Sequence, residues 1–170
     1  MIYTIGHSTH SADAFLALLR THGVTQLADV RTMPMSRRYP HFNRDSLEKL
    51  LAASGIRYRH LGGLGGLRKP KRDSTNTAWK HPSFRGYADY METESFERAF
   101  RDLVVFASAG PTAVMCAEAV WWRCHRQLLA DALLVQGVPV WHIVGAGAKP
   151  HEMSAFARIR DGKVIYPALL

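Results

Sequence analysis

Cysteine is scarce in this chain: two residues in 170, Cys116 and Cys124. Two thiols do not make the disulfide framework of a small secreted scaffold, so the expectation is a reducing, cytoplasmic setting. Long hydrophobic runs are missing as well. No apolar stretch approaches the ~20 residues that cross a bilayer. The opening MIYTIGHSTH reads as a strand rather than a secretion signal, and a membrane is not among the expected partners. No internal repeat or low-complexity segment appears, which argues against a solenoid and against a disordered tail.

Acidic residues are thin in one window. Between Arg31 and Arg85 there are 13 Lys/Arg against Asp45, Glu48 and Asp73, whereas the rest of the chain carries nine bases and 11 acids. The formal charge of +8 therefore belongs to one central segment. Such a segment attracts phosphates, nucleotides or a nucleic-acid backbone.

With 47% hydrophobic residues, 170 residues suffice for a single domain over 1–170 with a sizeable core. Strand-like runs alternate with helical periods. IYTIG (2–6), VTQLADVR (24–31), IRYRHL (56–61), PTAVMC (111–116) and VPVWHIV (138–144) read as strands. Helices are expected from Ser11, with Gly23 as stop, and from Asn43, with Gly55 as stop. A third helical region runs from Tyr87 to about Ala107 with a break near Thr93, and a fourth over HRQLLADALLVQG. A basic, glycine-rich loop of about 25 residues (62–86) is long enough to be functional or mobile. Asp161-Gly162 between short apolar runs predicts a terminal hairpin. The alternation implies an α/β fold: a mostly parallel sheet of about five strands with helices on both faces, plus that C-terminal hairpin.

In such sheets ligands bind beyond the carboxyl ends of the strands. Gly6, His7 and Ser8 follow the first strand, and Asp29 and Arg31 close the second. His60 ends the third, Cys116 and Glu118 follow the fourth, and His142 lies near the end of the fifth. Cys116, at a strand end before a helix, is a candidate nucleophile with a lowered pKa. Glu118 is a candidate general acid or base, and His7 another. Arg31, Arg38 and Arg126 are candidate anion ligands, with Ser8 beside them. Among the aromatics near the basic loops (Trp79, Phe84, Tyr87, Tyr90, Trp121 and Trp122), Tyr87 and Trp122 are the candidates for contact with a base or sugar. The Cys116–Cys124 spacing is not a zinc pattern, and no residue is assigned as a metal ligand on that ground.

The blocks YTIGHST, FLALL, ADVRTMPMSRRYPHFN, YRHLGGLGG, SFRGYADYM and VMCAEAVWWRCHRQLLADALL closely resemble the bacterial and archaeal family called domain of unknown function 488. The likeness keeps order and spacing over about residues 1–143, leaving about 145–170 as an extension. It implies a compact α/β fold and brings no activity with it. A looser likeness is to rhodanese-type sulfurtransferases and cysteine phosphatases, which implies Cys116 as a nucleophile in an anion-cradling loop. The sequence departs from that pattern, with six residues between Cys116 and Arg123, no glycine or serine among them, and two tryptophans.

The leading expectation is an enzyme acting on a phosphate-bearing small molecule or nucleic acid through Cys116 and Glu118. The rival is a non-catalytic nucleic-acid-binding module using the 31–85 segment. A third reading is a metal site drawn from Cys116, Cys124, His125 or His7. The cofactor, the substrate and the oligomeric state do not follow from the sequence.

Overall fold

The structure, a computed structural model, describes residues 1–168. Five strands, β1 (Ile2–Gly6), β2 (Gln26–Asp29), β3 (Arg57–His60), β4 (Thr112–Cys116) and β5 (Val140–Val144), pair in parallel. A sixth, β6 (Gly147–Pro150), runs antiparallel along β5 and completes a sheet of order β3-β2-β4-β1-β5-β6. The α/β fold expected from the alternation is the one observed, with one more strand. β6 comes from GAGAKP, which has almost no strand character of its own. It pairs because a two-residue turn at Gly145 (φ +57°) folds the chain straight back onto β5.

Helices α1 (Ala12–Thr21) and α2 (Arg44–Ala53) cover one face, burying Phe15, Leu19, Leu47 and Leu51 against Ile5, Leu27 and Met115. Helices α3 (Pro82–Met91), α4 (Glu94–Ala107) and α5 (Arg126–Val135) cover the other, where Tyr87, Leu103, Leu128 and Leu133 meet Ile2, Ala28 and Val114. The break expected near Thr93 is a helix boundary, since its hydroxyl accepts the Phe96 amide and caps α4. Asn43 stands at the start of α2, but its side chain accepts the Ser36 amide at 2.6 Å instead of capping the helix. It thereby ties the preceding loop to α2. The terminal hairpin pairs β7 (Arg158–Arg160) with β8 (Lys163–Ile165) through Asp161-Gly162, both at positive φ. Among the described residues no helix is long and apolar enough to cross a membrane.

Strand order decides where ligands can gather. From β1 the chain crosses over α1 toward β2, whereas from β4 it crosses over α5 toward β5, in the opposite direction and on the opposite face. Two adjacent strands whose connections part in this way leave a crevice beyond their carboxyl ends. Register places Gly6 beside Cys116 and Asp29 beside both Met115 and His60. The polar strand ends are therefore next to one another.

The 62–86 loop is ordered by a buried carboxylate. Asp89 accepts the Lys71 amide (2.8 Å), the Ser74 hydroxyl (2.6 Å) and the Asn76 side-chain amide (2.8 Å). Tyr87 and Tyr90 add hydroxyl bonds to the Leu64 and Gly63 carbonyls. A second buried network docks the C-terminal segment. Thr4 contacts His142 at 2.6 Å, His142 contacts His151 at 2.9 Å, and His151 contacts Asp131 at 2.8 Å. Asp131 also accepts the Ser154 and Tyr166 hydroxyls. When both rings are neutral every proton has an acceptor, because the carboxylate can only accept.

Burial drives the pKa of His142 down to about 3 and that of His7 down to about 4, against an ordinary value of 6.5. A histidine whose folded pKa lies below its unfolded one contributes stability in full above pH ~6.5 and loses it as the pH falls toward the folded value. The urea midpoint should therefore be level from pH 8 to 7 and drop steadily from pH 6 to 4, as the unfolded chain takes up about two protons that the folded chain refuses. A midpoint unchanged between pH 7 and 5 would contradict this.

Candidate functional site

A cavity of about 1020 Å³ opens at the crevice between the β1 and β4 ends. Its walls are the turn after β1 (His7, Ser8), the loop after β2 (Arg31 to Tyr39), parts of the 62–86 loop and the segment after β4 (Cys116 to His125). Two backbone bonds extend the β1–β4 ladder past the strands, His7 N–H to the Cys116 carbonyl (2.9 Å) and Ser8 N–H to the Ala117 carbonyl (3.0 Å). Ser8 is held at φ +45°, a left-handed conformation uncommon outside glycine, at the cavity wall.

The segment AEAVWWRC between β4 and α5 is fixed from below. Arg126, the first residue of α5, is 1% exposed. Its guanidinium donates to the Glu118 carbonyl, and its Nε approaches Cys124 Sγ at 3.4 Å. The same carbonyl crosses directly over Gly6, where a Cβ would collide with it and come within 2.8 Å of Ala119 Cα. A 3₁₀ turn at Trp121–Arg123 then folds the chain back, bringing Cys124 to Cys116. The two sulfurs and a ring nitrogen of His125 all lie within 4.8 Å of one another.

The thiols are not equivalent. A hydrogen bond from Cys116 holds the Cys124 thiol well below its ordinary pKa, with His125 and Arg126 adding to the effect. That same bond, with burial, pushes Cys116 up. The arginine contact expected to favour a thiolate at Cys116 is made at Cys124 instead, through Arg126 Nε.

The candidate arginines divide into two kinds. Arg31 is 5% exposed and makes a two-pronged contact with Asp29 (2.9 and 2.7 Å) plus a bond to the Phe42 carbonyl (2.8 Å). Arg31 borders the cavity as a buried partner of Asp29, whereas Arg126 lies outside the lining, held by the Glu118 backbone carbonyl; neither guanidinium is free, and Arg126 is not placed to take the anion expected of it. Arg38 and Arg123 are exposed, line the cavity, and have no ion-pair partner among the described residues. Glu118 is also exposed and unpaired, one oxygen accepting the Val120 amide at 3.2 Å. His7 Nδ1 donates to the Ser8 carbonyl (3.1 Å), leaving the Nε2 lone pair toward Arg31 at 3.4 Å, while Phe42 stacks on the ring. Its low pKa makes it an acceptor rather than an acid at neutral pH.

Besides Arg126, two more candidates lie apart from the cavity. Tyr87 is fully buried and bonded to Leu64, so it packs the core. Trp122 is 55% exposed but sits edge-on against Trp121, which stacks on His142 at 4.4 Å and 8°. Trp121 is thereby the anchor of the pair and Trp122 its exposed half.

A family model described as Domain of unknown function DUF488 matches residues 11–133. The chain belongs to this family. No curated protein and no solved structure matches it. The DUF488 match takes in the β2 and β4 ends, Arg31, Arg38, Glu118, both cysteines and His125, while His7 and Ser8 lie just before it.

Residues that sequence reasoning passed over are Arg123 as a free cation and His81, which the end of the ordered 62–86 loop carries to the cavity beside Phe84, one of the aromatics noted near the basic loops. Arg123 lies inside a quoted block, whereas His81 lies two residues before SFRGYADYM and carried no signal. Gly6→Ala in this DUF488 protein should destabilise by about 2 kcal/mol and separate the loop from β1, since backbone rather than a movable side chain meets the new methyl. Chemical denaturation checks this, and a loss under ~0.5 kcal/mol would show that the loop does not rest on Gly6.

Proposed function

We propose that the cavity is an active site for a phosphate-bearing substrate, a nucleotide or a nucleotide within nucleic acid. The observation that carries this is the presence of two unpaired arginines, Arg38 and Arg123, in the same cavity as the unpaired Glu118 carboxylate and the Cys116–Cys124 pair. Unpaired guanidiniums suit phosphate oxygens, which accept their paired N–H groups. A carboxylate free of any cation suits general acid–base work.

Size and rim support a base-bearing substrate over a bare anion. About 1020 Å³ is at the upper end of ligand pockets. Met33, Met35 and Leu67, which line the opening, are 64%, 68% and 79% exposed. Large apolar side chains held in water at the mouth of a basic cavity offer surfaces on which a base can lie.

Fluorescence polarisation with a labelled short single-stranded DNA, competed by a nucleoside monophosphate, tests the reading. Arg38→Ala and Arg123→Ala should each weaken binding about tenfold and each lower the salt slope by about one. Wild-type affinity in the double variant would refute the site. Binding that persists in Glu118→Gln, with no turnover of any nucleotide by the wild type, would favour the non-catalytic module.

A further inference from the structure

We propose that Cys116, Cys124 and His125 bind a thiophilic divalent cation of the zinc class, with the fourth coordination position open to the cavity. The proposal deepens the active-site reading above, resting on it only for what the fourth position faces.

Geometry is the first support. Tetrahedral zinc takes sulfur at ~2.3 Å and imidazole nitrogen at ~2.0–2.1 Å, so a sulfur and a nitrogen bound to one ion are ~3.5 Å apart. Cys124 Sγ and His125 Nδ1 are 3.5 Å apart. The three donors lie within 4.8 Å of one another, against ~3.8 Å for two sulfurs on one tetrahedral ion, so closure takes shifts of about 1 Å or less.

Unsatisfied chemistry is the second. His125 is 9% exposed, and its Nε2 is buried with no hydrogen-bond partner among the described residues. With the ring proton on that nitrogen, the lone pair of a neutral His125 is on Nδ1, the atom that faces Cys124, where an ion would take it. The ring is also held in place: a Cβ on Gly66 would lie 2.5 Å from His125 Nδ1, and Tyr87 packs at 5.0 Å between ring centroids. Arg126, approaching Cys124 Sγ at 3.4 Å, is the kind of outer partner that orients a ligating thiolate.

Three protein ligands rather than four distinguish a site that keeps a position for water or substrate from one that only staples the fold. Cys116 is partly exposed and, with Cys124 and His125, lines the cavity that also holds Glu118. The eight other histidines do not dilute the inference, because only this trio converges among the described residues. The spacing that failed as a zinc pattern works here because the loop folds back on itself.

Cobalt titration of the reduced full-length chain, with no substrate present, tests the proposal. One equivalent of Co²⁺ should give thiolate-to-cobalt charge-transfer absorption and the visible bands of a tetrahedral centre, displaced by Zn²⁺. Cys124→Ser and His125→Ala should each weaken binding at least 100-fold. Cys116→Ser, at the partly exposed ligand and so the variant least disturbing to the fold, should weaken it at least tenfold and remove part of the charge-transfer intensity. Absence of these bands in the wild type, or retention of them in Cys116→Ser at unchanged affinity, would overturn the site. Because the readout needs no nucleotide, loss of the metal and loss of nucleotide binding in Arg38→Ala are separate results.

Discussion

The functional region depends on one buried guanidinium. Arg126 lies at the first turn of α5, almost fully enclosed, and donates to the Glu118 carbonyl while touching Cys124. A buried charge must find partners or cost several kcal/mol, and here its partners are the two ends of the loop it spans. The loop is therefore closed by the need to satisfy Arg126. That closure presents Glu118 outward and folds Cys124 and His125 back onto Cys116.

The sheet supplies the other half of the arrangement. Because β1 and β4 are neighbours whose connections diverge, their carboxyl ends frame a crevice, and Gly6 lets the loop cross it at backbone distance. The Asp29–Arg31 pair repeats the logic at β2: a buried arginine satisfied by a carboxylate and a carbonyl, ordering the wall that carries Arg38. Two arginines thus build the site and two others face what enters it.

Much of the fold was legible because its signals are local. Apolar runs ending at Gly6 and Asp29, the Thr93 cap and the Asp161-Gly162 turn each follow from residues within a few positions of one another. β6 was not, because GAGAKP becomes a strand only through the edge that β5 offers. The crevice itself was legible from the polar strand ends. The division of arginines was not, since one turn of difference in where α5 begins decides whether Arg123 or Arg126 points into the protein. The Cys124–His125 convergence was equally hidden: eight positions separate Cys124 from Cys116, and only the Arg126 contact and the turn at Trp121–Arg123 cancel that distance.

Amide hydrogen exchange on wild type and Arg126→Met tests most directly whether this guanidinium organises the site. In the wild type the Arg123 and Cys124 amides, bonded to the Val120 and Trp121 carbonyls, and those of His7 and Ser8 should be protected. In the variant, protection over 117–125 and at His7 and Ser8 should fall at least tenfold, while strands β1 and β4 keep theirs. Unchanged protection across 117–125 would contradict the account.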